Sequence, residues 1–326
     1  MIRRLIFPLV LAVLAIGLFL QSNAADEDAN RPSLVASEPT PPRLSTPLLS
    51  ARRLPEHLQT PEANRRLVTN LNENIDLLPE QSCFVVSEGG EIRYGHRPES
   101  QLIPASTEKL LTAVAALNEL GRDYRFTTKI LAQNAPSEGV IDGNIWLVGG
   151  GDPLVMTSDY AQRYLDNLAY TDLGILADQI IAAGVTTITG AVVGDESYFD
   201  KIRWVESWPE RFRAGAQNQT GPLSALSVND GFVNWDTENT ANSLNTPAAE
   251  PAQFAAALFD DLLEARSVRI FQSAYAETKP VDAVIQLGVI ESPTISEIVK
   301  QMLQTSDNTT AEILVKAISA ASGVGG

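Results

Sequence analysis

The chain has 326 residues, 44% of them hydrophobic, which is enough for two domains or one large domain with a substantial core. Its formal net charge of −16 argues against nonspecific binding to nucleic acid or to anionic membrane surfaces. The single cysteine, Cys83, excludes an intrachain disulfide, and its strand-like surroundings predict a small buried hydrophobe.

Residues 1–24 have the pattern of a secretory signal peptide. Arg3 and Arg4 precede the apolar run Leu5–Leu20, and small residues follow at Ser22–Ala24. Because this run is short for a spanning helix, removal is favoured, and an uncleaved anchor is the alternative. We expect no transmembrane span in the mature chain and an extracytoplasmic location, whether secreted, periplasmic or associated with the cell envelope.

Residues 25–61 are rich in proline, serine and charge, which predicts a disordered spacer. Beyond the spacer, apolar residues recur at helical spacing over Glu62–Leu78. The apolar runs Ser82–Val86 and Glu91–Tyr94 flank a Gly-Gly pair, which is typical of a β-hairpin. A helix, a hairpin and a further apolar helix fit an α/β layered domain.

The stretch Pro104–Ala113 carries the strongest chemical signal in the chain. Its proline and polar residues mark the start of a helix, and Gly121 marks a plausible end. Ser106 and Lys109 are three residues apart, so both side chains lie on one face of this helix. The serine can act as a nucleophile if burial or a neighbouring cation lowers the pKa of the lysine base. The alternative is a helix-capping serine beside a solvated lysine.

The histidines favour this lysine-based mechanism because there are only two of them. His57 falls in the predicted spacer, and His96 follows a predicted turn, so we expect both on irregular segments. A Ser-His-Asp triad could use only His96. Neither histidine lies in a sequence cluster typical of a zinc site.

The middle of the chain alternates short strands, helices and glycine-rich loops. The patterns predict strands at Phe126–Leu131, Gly139–Val148 and Thr187–Val193, and helices at Asp172–Ala183 and Pro251–Ala265. A further strand is predicted at Ala283–Val289, followed by two amphipathic helices with Ser306-Asp-Asn308 between them.

A Ser-x-Asn triplet occurs at Ser227–Asn229, Ser243–Asn245 and Ser306–Asn308. Only the third lies between two predicted amphipathic helices and has aspartate in the middle. This Ser-Asp-Asn form accompanies Ser-x-x-Lys in penicillin-recognising enzymes. Because all three residue types also cap helices, a simple helix cap is the alternative.

Four longer segments resemble the class C low-molecular-mass penicillin-binding proteins, which are D-alanyl-D-alanine carboxypeptidases and endopeptidases. These segments are Pro104–Lys109, Leu147–Pro153, Gly221–Gly231 and Ser306–Glu312. The resemblance covers roughly residues 64–326. It implies an α/β penicillin-recognising domain, similar to β-lactamases and transpeptidases, built from residues 62–125 and 279–326. A large mixed α+β insertion would occupy residues 126–278.

The resemblance implies that Ser106 is the acyl nucleophile and Lys109 its base, with Ser306 and Asn308 as a second catalytic element. Peptidoglycan stem peptides would be the substrates, and β-lactams would trap the acyl-enzyme. No cofactor is expected, because nucleophile and base are both side chains. Asp152 would contact the stem peptide from the insertion, or it is a turn aspartate bonded to its own backbone.

The family's third motif, Lys-Thr-Gly or His-Thr-Gly, does not occur in this sequence. We therefore expect the C-terminal part of the sheet to be missing, with an exposed apolar patch on the Ser106 helix, weak activity and marginal folding. Two other functions stay open: a serine β-lactamase or esterase, and a noncatalytic cell-wall-binding protein or inactive fragment of such an enzyme.

Overall fold

The structure is a computed structural model that describes residues 56–162, 168–213, 220–236 and 245–326, together with Ile16. The predicted signal peptide and most of the predicted spacer lie outside these residues. Within them, no helix has the length and apolar character needed to cross a membrane. The chain divides into two compact units between Leu102 and Ile103, and the domain bounds inferred from the sequence remain predictions.

The first unit contains a helix and a β-hairpin. Helix α1 spans Glu56–Asn74 and is followed by a 3₁₀ turn at Ile75–Leu77. Strands β1 (Phe84–Glu88) and β2 (Glu91–His96) pair antiparallel. The two glycines between them have φ angles of 58° and 83°, the left-handed backbone that a two-residue hairpin turn requires. The predicted helix and hairpin are therefore confirmed.

Three expectations for this unit are wrong. His57 lies on α1, which begins before the predicted Glu62, and His96 ends β2 rather than decorating a loop. Cys83 is exposed, as are its neighbours Phe84 and Val85. A pattern of apolar residues predicts a strand, but burial also needs a second layer over it, which the pattern does not report.

The second unit begins with a 3₁₀ turn at Ala105–Glu108 that leads into helix α2, Lys109–Glu119. Its other helices are α3 Ser158–Ala161, α4 Leu173–Ala182, α5 Pro251–Glu264, α6 Ile295–Thr305 and α7 Asn308–Ala321. Its strands are β3 Thr127–Ala132, β4 Val140–Ile141, β5 Ile145–Val148, β6 Val155–Met156, β7 Thr171–Asp172, β8 Thr187–Ile188, β9 Val192–Asp195, β10 Phe232–Asn234, β11 Thr246–Pro247, β12 Arg269–Ile270, β13 Tyr275–Ala276 and β14 Ile285–Glu291.

A mixed five-stranded sheet organises the region of the predicted insertion and takes one strand, β14, from beyond it. Its strand order is β13-β9-β5-β3-β14; β9 runs parallel to β5 and β13, and β3 runs antiparallel to both of its neighbours. Helices α4 and α5 contribute Leu176, Ile180 and Phe259, all fully buried, to the core shared with this sheet. The mixed α+β character expected of this region is confirmed.

Two strands predicted as single runs each divide between two sheets. Gly139–Val148 becomes β4 and β5, and Thr187–Val193 becomes β8 and the start of β9. β4 and β8 join β12 in a separate three-stranded sheet. The crossing is tight, since Gly190 donates to the Gly143 carbonyl and a Cβ at Gly190 would lie 2.5 Å from it. Periodicity continues through such a bend, so it does not reveal the break.

A second core lies around helices α2, α6 and α7. It includes Ala116, Ile298 and Leu314, one from each helix and all fully buried, and Phe126. Packing of these apolar faces fixes the positions of the start of α2 and of the junction between α6 and α7. The candidate catalytic residues lie at these two places.

The other face of α2 is apolar and exposed. Leu110, Leu111 and Val114 have exposed fractions of 55%, 71% and 57%. The expected apolar patch on the Ser106 helix is therefore present in the described part of the chain.

Candidate active site

Ser106 stands on the tight turn that leads into α2. In a 3₁₀ turn, three residues complete one turn, so side chains at i and i+3 eclipse one another. Ser106 lies within this turn and Lys109 directly follows it, so the two side chains lie on the same side of the chain. The preceding residue, Ala105, has a φ of 48°, a region that costs a non-glycine residue about 1 kcal/mol or more. The serine is exposed, whereas the lysine is only 8% exposed.

The Lys109 amine contacts two of the other candidate residues, Ser106 and Asn308. Its Nζ lies 3.2 Å from Ser106 Oγ and 2.5 Å from Asn308 Oδ1. Lys109 and Asn308 are 199 residues apart in the chain, and packing of α2 against α7 brings them together. The structure thus joins the Ser-x-x-Lys segment to the third Ser-x-Asn triplet.

The junction between α6 and α7 presents Asn308 through a helix cap. Ser306 ends α6 with a left-handed φ of 57° and is exposed to solvent. Asp307 then caps α7, because its carboxylate accepts from Thr309 N at 2.9 Å and from Thr310 Oγ1 at 2.5 Å. The capping alternative is therefore realised by Asp307, while the adjacent Asn308 reaches the lysine.

Burial lowers the pKa of Lys109, while the charges of Asp307 and Glu312 oppose this effect. The amine is held in an environment that disfavours its charged form, which is the condition a lysine must meet to act as a base near neutral pH. The N–H groups in the first turn of a helix lack partners within that helix and carry partial positive charge. At this helix start, Thr107 N already donates to the Pro104 carbonyl and Lys109 N to the Ser106 and Thr107 carbonyls, so these two groups are not free to stabilise negative charge beside Ser106.

The segment Gly221–Gly231 supports the α7 end of the site. Gly221 N donates to Thr309 Oγ1 at 3.1 Å, directly beside Asn308. The segment packs so closely on the glycine-rich loop after β5 that a Cβ at Gly149 would lie 2.3 Å from the Ala225 carbonyl oxygen. These two family-like segments therefore act as scaffold, with glycine required by the close approach of two backbones.

A buried ion pair holds the same segment. Arg203 donates from Nη1 and Nη2 to the Glu196 carboxylate at 2.7 and 2.5 Å, and from Nη1 to the Leu223 carbonyl at 3.1 Å. Ser224 Oγ donates to Glu196 at 2.6 Å. Both partners of the pair are largely buried, so their mutual contacts replace the water each has lost.

Asp152 lies in a buried turn and is only 2% exposed. Its carboxylate accepts from Leu154 N at 2.9 Å and from Thr171 Oγ1 at 2.6 Å. Burial raises its pKa to about 6, against the opposing effect of these two hydrogen bonds. These contacts are those of the turn-aspartate alternative and include no group of the Ser106–Lys109 pair.

The other two Ser-x-Asn triplets stand elsewhere. Asn229 is fully buried, and its side chain exchanges hydrogen bonds with Thr157 at 2.8 to 3.2 Å. Ser243 lies outside the described residues.

The sequence alone assigned no role to Glu312, although its position four residues after Asn308 places both residues on one face of α7.

The arrangement resembles the site pattern of penicillin-recognising proteins: an exposed serine at a helix start, a buried lysine in contact with it, and an asparagine that contacts this lysine from a second helix junction. The fold agrees with this class. The structure is similar to penicillin binding protein 4 from Haemophilus influenzae, with a TM-score of 0.63 and 19% identity over 78% of this chain and 66% of that chain. The chain belongs to the D-Ala-D-Ala carboxypeptidase 3 (S13) family, whose profile matches residues 77–248 and 236–326.

Two curated proteins are similar in sequence. The chain is 33% identical to a D-alanyl-D-alanine carboxypeptidase of an Actinomadura species over 64% of this chain and 37% of that protein. It is 31% identical to a carboxypeptidase of Mycobacterium tuberculosis over 68% of this chain and 44% of that protein. The chain therefore spans less than half the length of these two relatives.

Proposed function

We propose that this chain acts as a serine-type D-Ala-D-Ala carboxypeptidase or endopeptidase on peptidoglycan stem peptides, through an acyl-serine intermediate. The observation that carries the proposal is the Lys109 amine, which contacts both Ser106 Oγ and Asn308 Oδ1. The family to which the chain belongs and the two carboxypeptidase relatives support the substrate class.

In the proposed reaction, Lys109 must be neutral. One of its N–H bonds donates to Asn308 Oδ1, which leaves the nitrogen lone pair to accept the Ser106 hydroxyl proton. As the Oγ–H bond breaks and the Nζ–H bond forms, Oγ attacks the carbonyl carbon of the scissile D-Ala-D-Ala amide. The proton then passes to the leaving amine, with Ser306 as the proposed relay, as the C–N bond breaks.

Hydrolysis completes the proposed cycle. A water molecule gives a proton to Lys109 and attacks the ester carbon, the bond from that carbon to Oγ breaks, and Ser106 recovers its proton. Side chains supply the nucleophile and the base, so the proposed reaction needs no cofactor. We propose that β-lactams acylate the same serine. One structure of the Haemophilus influenzae protein, complexed with a β-lactam, matches this fold with a TM-score of 0.51.

The proposed place of action is outside the cytoplasm. Support comes from the arginine pair, apolar run and small residues of the first 24 residues, a pattern that directs chains to export. Peptidoglycan, the proposed substrate, is assembled on that side of the membrane, which agrees with the location.

The proposal is tested by intact mass after incubation with benzylpenicillin. We expect one covalent adduct on the parent chain and none on Ser106→Ala. Lys109→Ala should acylate at least about 100-fold more slowly, because general base catalysis typically contributes 10² or more. Lys300→Ala is the matched control, since this lysine is exposed on α6 and should leave the rate unchanged.

Release of free D-alanine from a stem pentapeptide, or cleavage of a cross-linked dimer, then separates the carboxypeptidase from the endopeptidase. An adduct that persists on Ser106→Ala would show that another group is acylated and would overturn the assignment. Absence of any adduct on the parent chain would also contradict the proposed activity.

A further inference from the structure

Glu312 lies on the same face of α7 as Asn308, one helical turn further along. Asn308 contacts the Lys109 amine, and α7 packs against α2, so this face is directed toward the lysine. Lys316 stands one further turn along. The three side chains therefore form a polar line on a helix whose opposite face is buried in the core.

The Glu312 carboxylate is half-buried and lies among charges of both signs. Glu108 and Lys109 face it from the start of α2, and Lys316 faces it from its own helix. Among the described residues, the structure records no hydrogen bond or ion pair of the Glu312 side chain. It is therefore a carboxylate held near the catalytic amine by the helix rather than by a partner.

We propose that Glu312 is a positioning residue of the acylation step: its carboxylate is the counter-charge for the ammonium that Lys109 becomes when it takes the Ser106 proton. The role of Glu312 in the reaction rests on the proposed function, whereas its effect on the pKa of Lys109 does not. The proton moves from Ser106 Oγ to Lys109 Nζ, and Glu312 remains an unprotonated carboxylate throughout.

When Lys109 takes the serine proton, a positive charge forms on a side chain that is only 8% exposed. Desolvation lowers the pKa of Lys109, so without a nearby carboxylate the amine would be a weaker base for the serine proton. The charge of Asp307 and, to a smaller extent, that of Glu312 raise the pKa again. Asp307 is occupied as the cap of α7, where it accepts two hydrogen bonds. Glu312, for which the structure records no such hydrogen bonds among the described residues, adds its charge to that of Asp307 where the ammonium forms.

The surroundings of Glu312 also set the pH range of this effect. Burial raises the pKa of Glu312, Glu108 raises it further, and the two lysines oppose both. When acid protonates Glu312, Lys109 loses its counter-charge and becomes a weaker base. The support that Glu312 gives is therefore lost as the pH falls through its raised pKa.

The experiment measures the Lys109 pKa directly, by NMR titration of protein labelled with ¹³C at the lysine Cε. Lys109→Arg assigns the signal. We expect a lower pKa in Glu312→Gln than in the parent, because a charge that favours the ammonium has been removed. Glu312→Asp keeps the charge and should restore most of the parent value. Glu119→Gln, at the exposed far end of α2, is the matched control and should leave the pKa of Lys109 unchanged.

The acylation rate provides a second readout. In Glu312→Gln, the acid limb of the pH–rate profile should move to lower pH, and the plateau should fall by less than the roughly 100-fold expected on losing the base. An unchanged Lys109 pKa in well-folded Glu312→Gln would overturn the inference. A lowered pKa in a chain that never acylates would support the inference and refute the proposed function, so the two failures are distinguishable.

Discussion

Replacing Arg203 by methionine tests how much the buried ion pair, which holds the Gly221–Gly231 segment, contributes to the stability of the second unit. The change removes the charge but keeps an unbranched apolar stem of similar length. Among the described residues, Ser224 Oγ is then the remaining recorded donor to the Glu196 carboxylate, and the Leu223 carbonyl loses its contact with the guanidinium. The carboxylate cannot regain water easily, because its side chain is only 8% exposed.

Breaking a buried ion pair on one side typically destabilises a protein by about 3–5 kcal/mol. That is a large part of the roughly 5–15 kcal/mol that separates folded from unfolded states of a domain. The double variant Glu196→Met with Arg203→Met removes both charges and should recover most of the loss, since apolar groups of similar volume often replace such pairs at little net change.

Urea denaturation followed by tryptophan fluorescence measures these differences. All four tryptophans, Trp146, Trp204, Trp208 and Trp235, lie in the second unit, so the signal reports on the unit that contains the ion pair. Arg122→Met is the control, because its contact with Asp123 is 3.6 Å long and exposed, and such pairs contribute about 0–1 kcal/mol.

Two results would refute the reasoning. The first is a loss in Arg203→Met no larger than in Arg122→Met, which would mean that the buried carboxylate is well solvated without its partner. The second is a double variant that is at least as unstable as Arg203→Met alone. In that case the loss would come from packing of the arginine stem rather than from an unpaired buried charge.

The buried Asp152 should make stability depend on pH. Its folded pKa of about 6 lies above the unfolded value of about 3.9, so the folded chain binds more protons between these values and stability falls as the pH rises from about 4 to about 6. Asp152→Asn should remove that part of the slope in denaturation curves measured at several pH values, and an identical slope in both proteins would contradict it. On α7, Leu314→Ala should destabilise the second unit by about 2–5 kcal/mol, because this side chain is fully buried. The adjacent Val315→Ala, 48% exposed, should have a much smaller effect, and equal midpoints for the two variants would argue against the packing of α7.

The local elements follow from the sequence because their signals are local. The apolar spacing before and after Ser306-Asp-Asn308 marks two helices, and the Gly-Gly pair marks a hairpin, from residues that are neighbours in the chain. The same holds for the pairing of Ser106 with Lys109, since three residues of helical backbone suffice to bring their side chains together.

Tertiary structure decided everything that depends on distant segments. The sequence favoured the third of three Ser-x-Asn triplets, but only the packing of α7 on α2 brings its Asn308 into contact with a lysine 199 residues away. Burial of Asp152 and exposure of Cys83 depend on which layers cover them, which periodicity along one strand does not report. The position of Glu312 beside Lys109 has the same origin: the sequence places Glu312 on a face of a helix, but only the packing of two helices shows what that face meets.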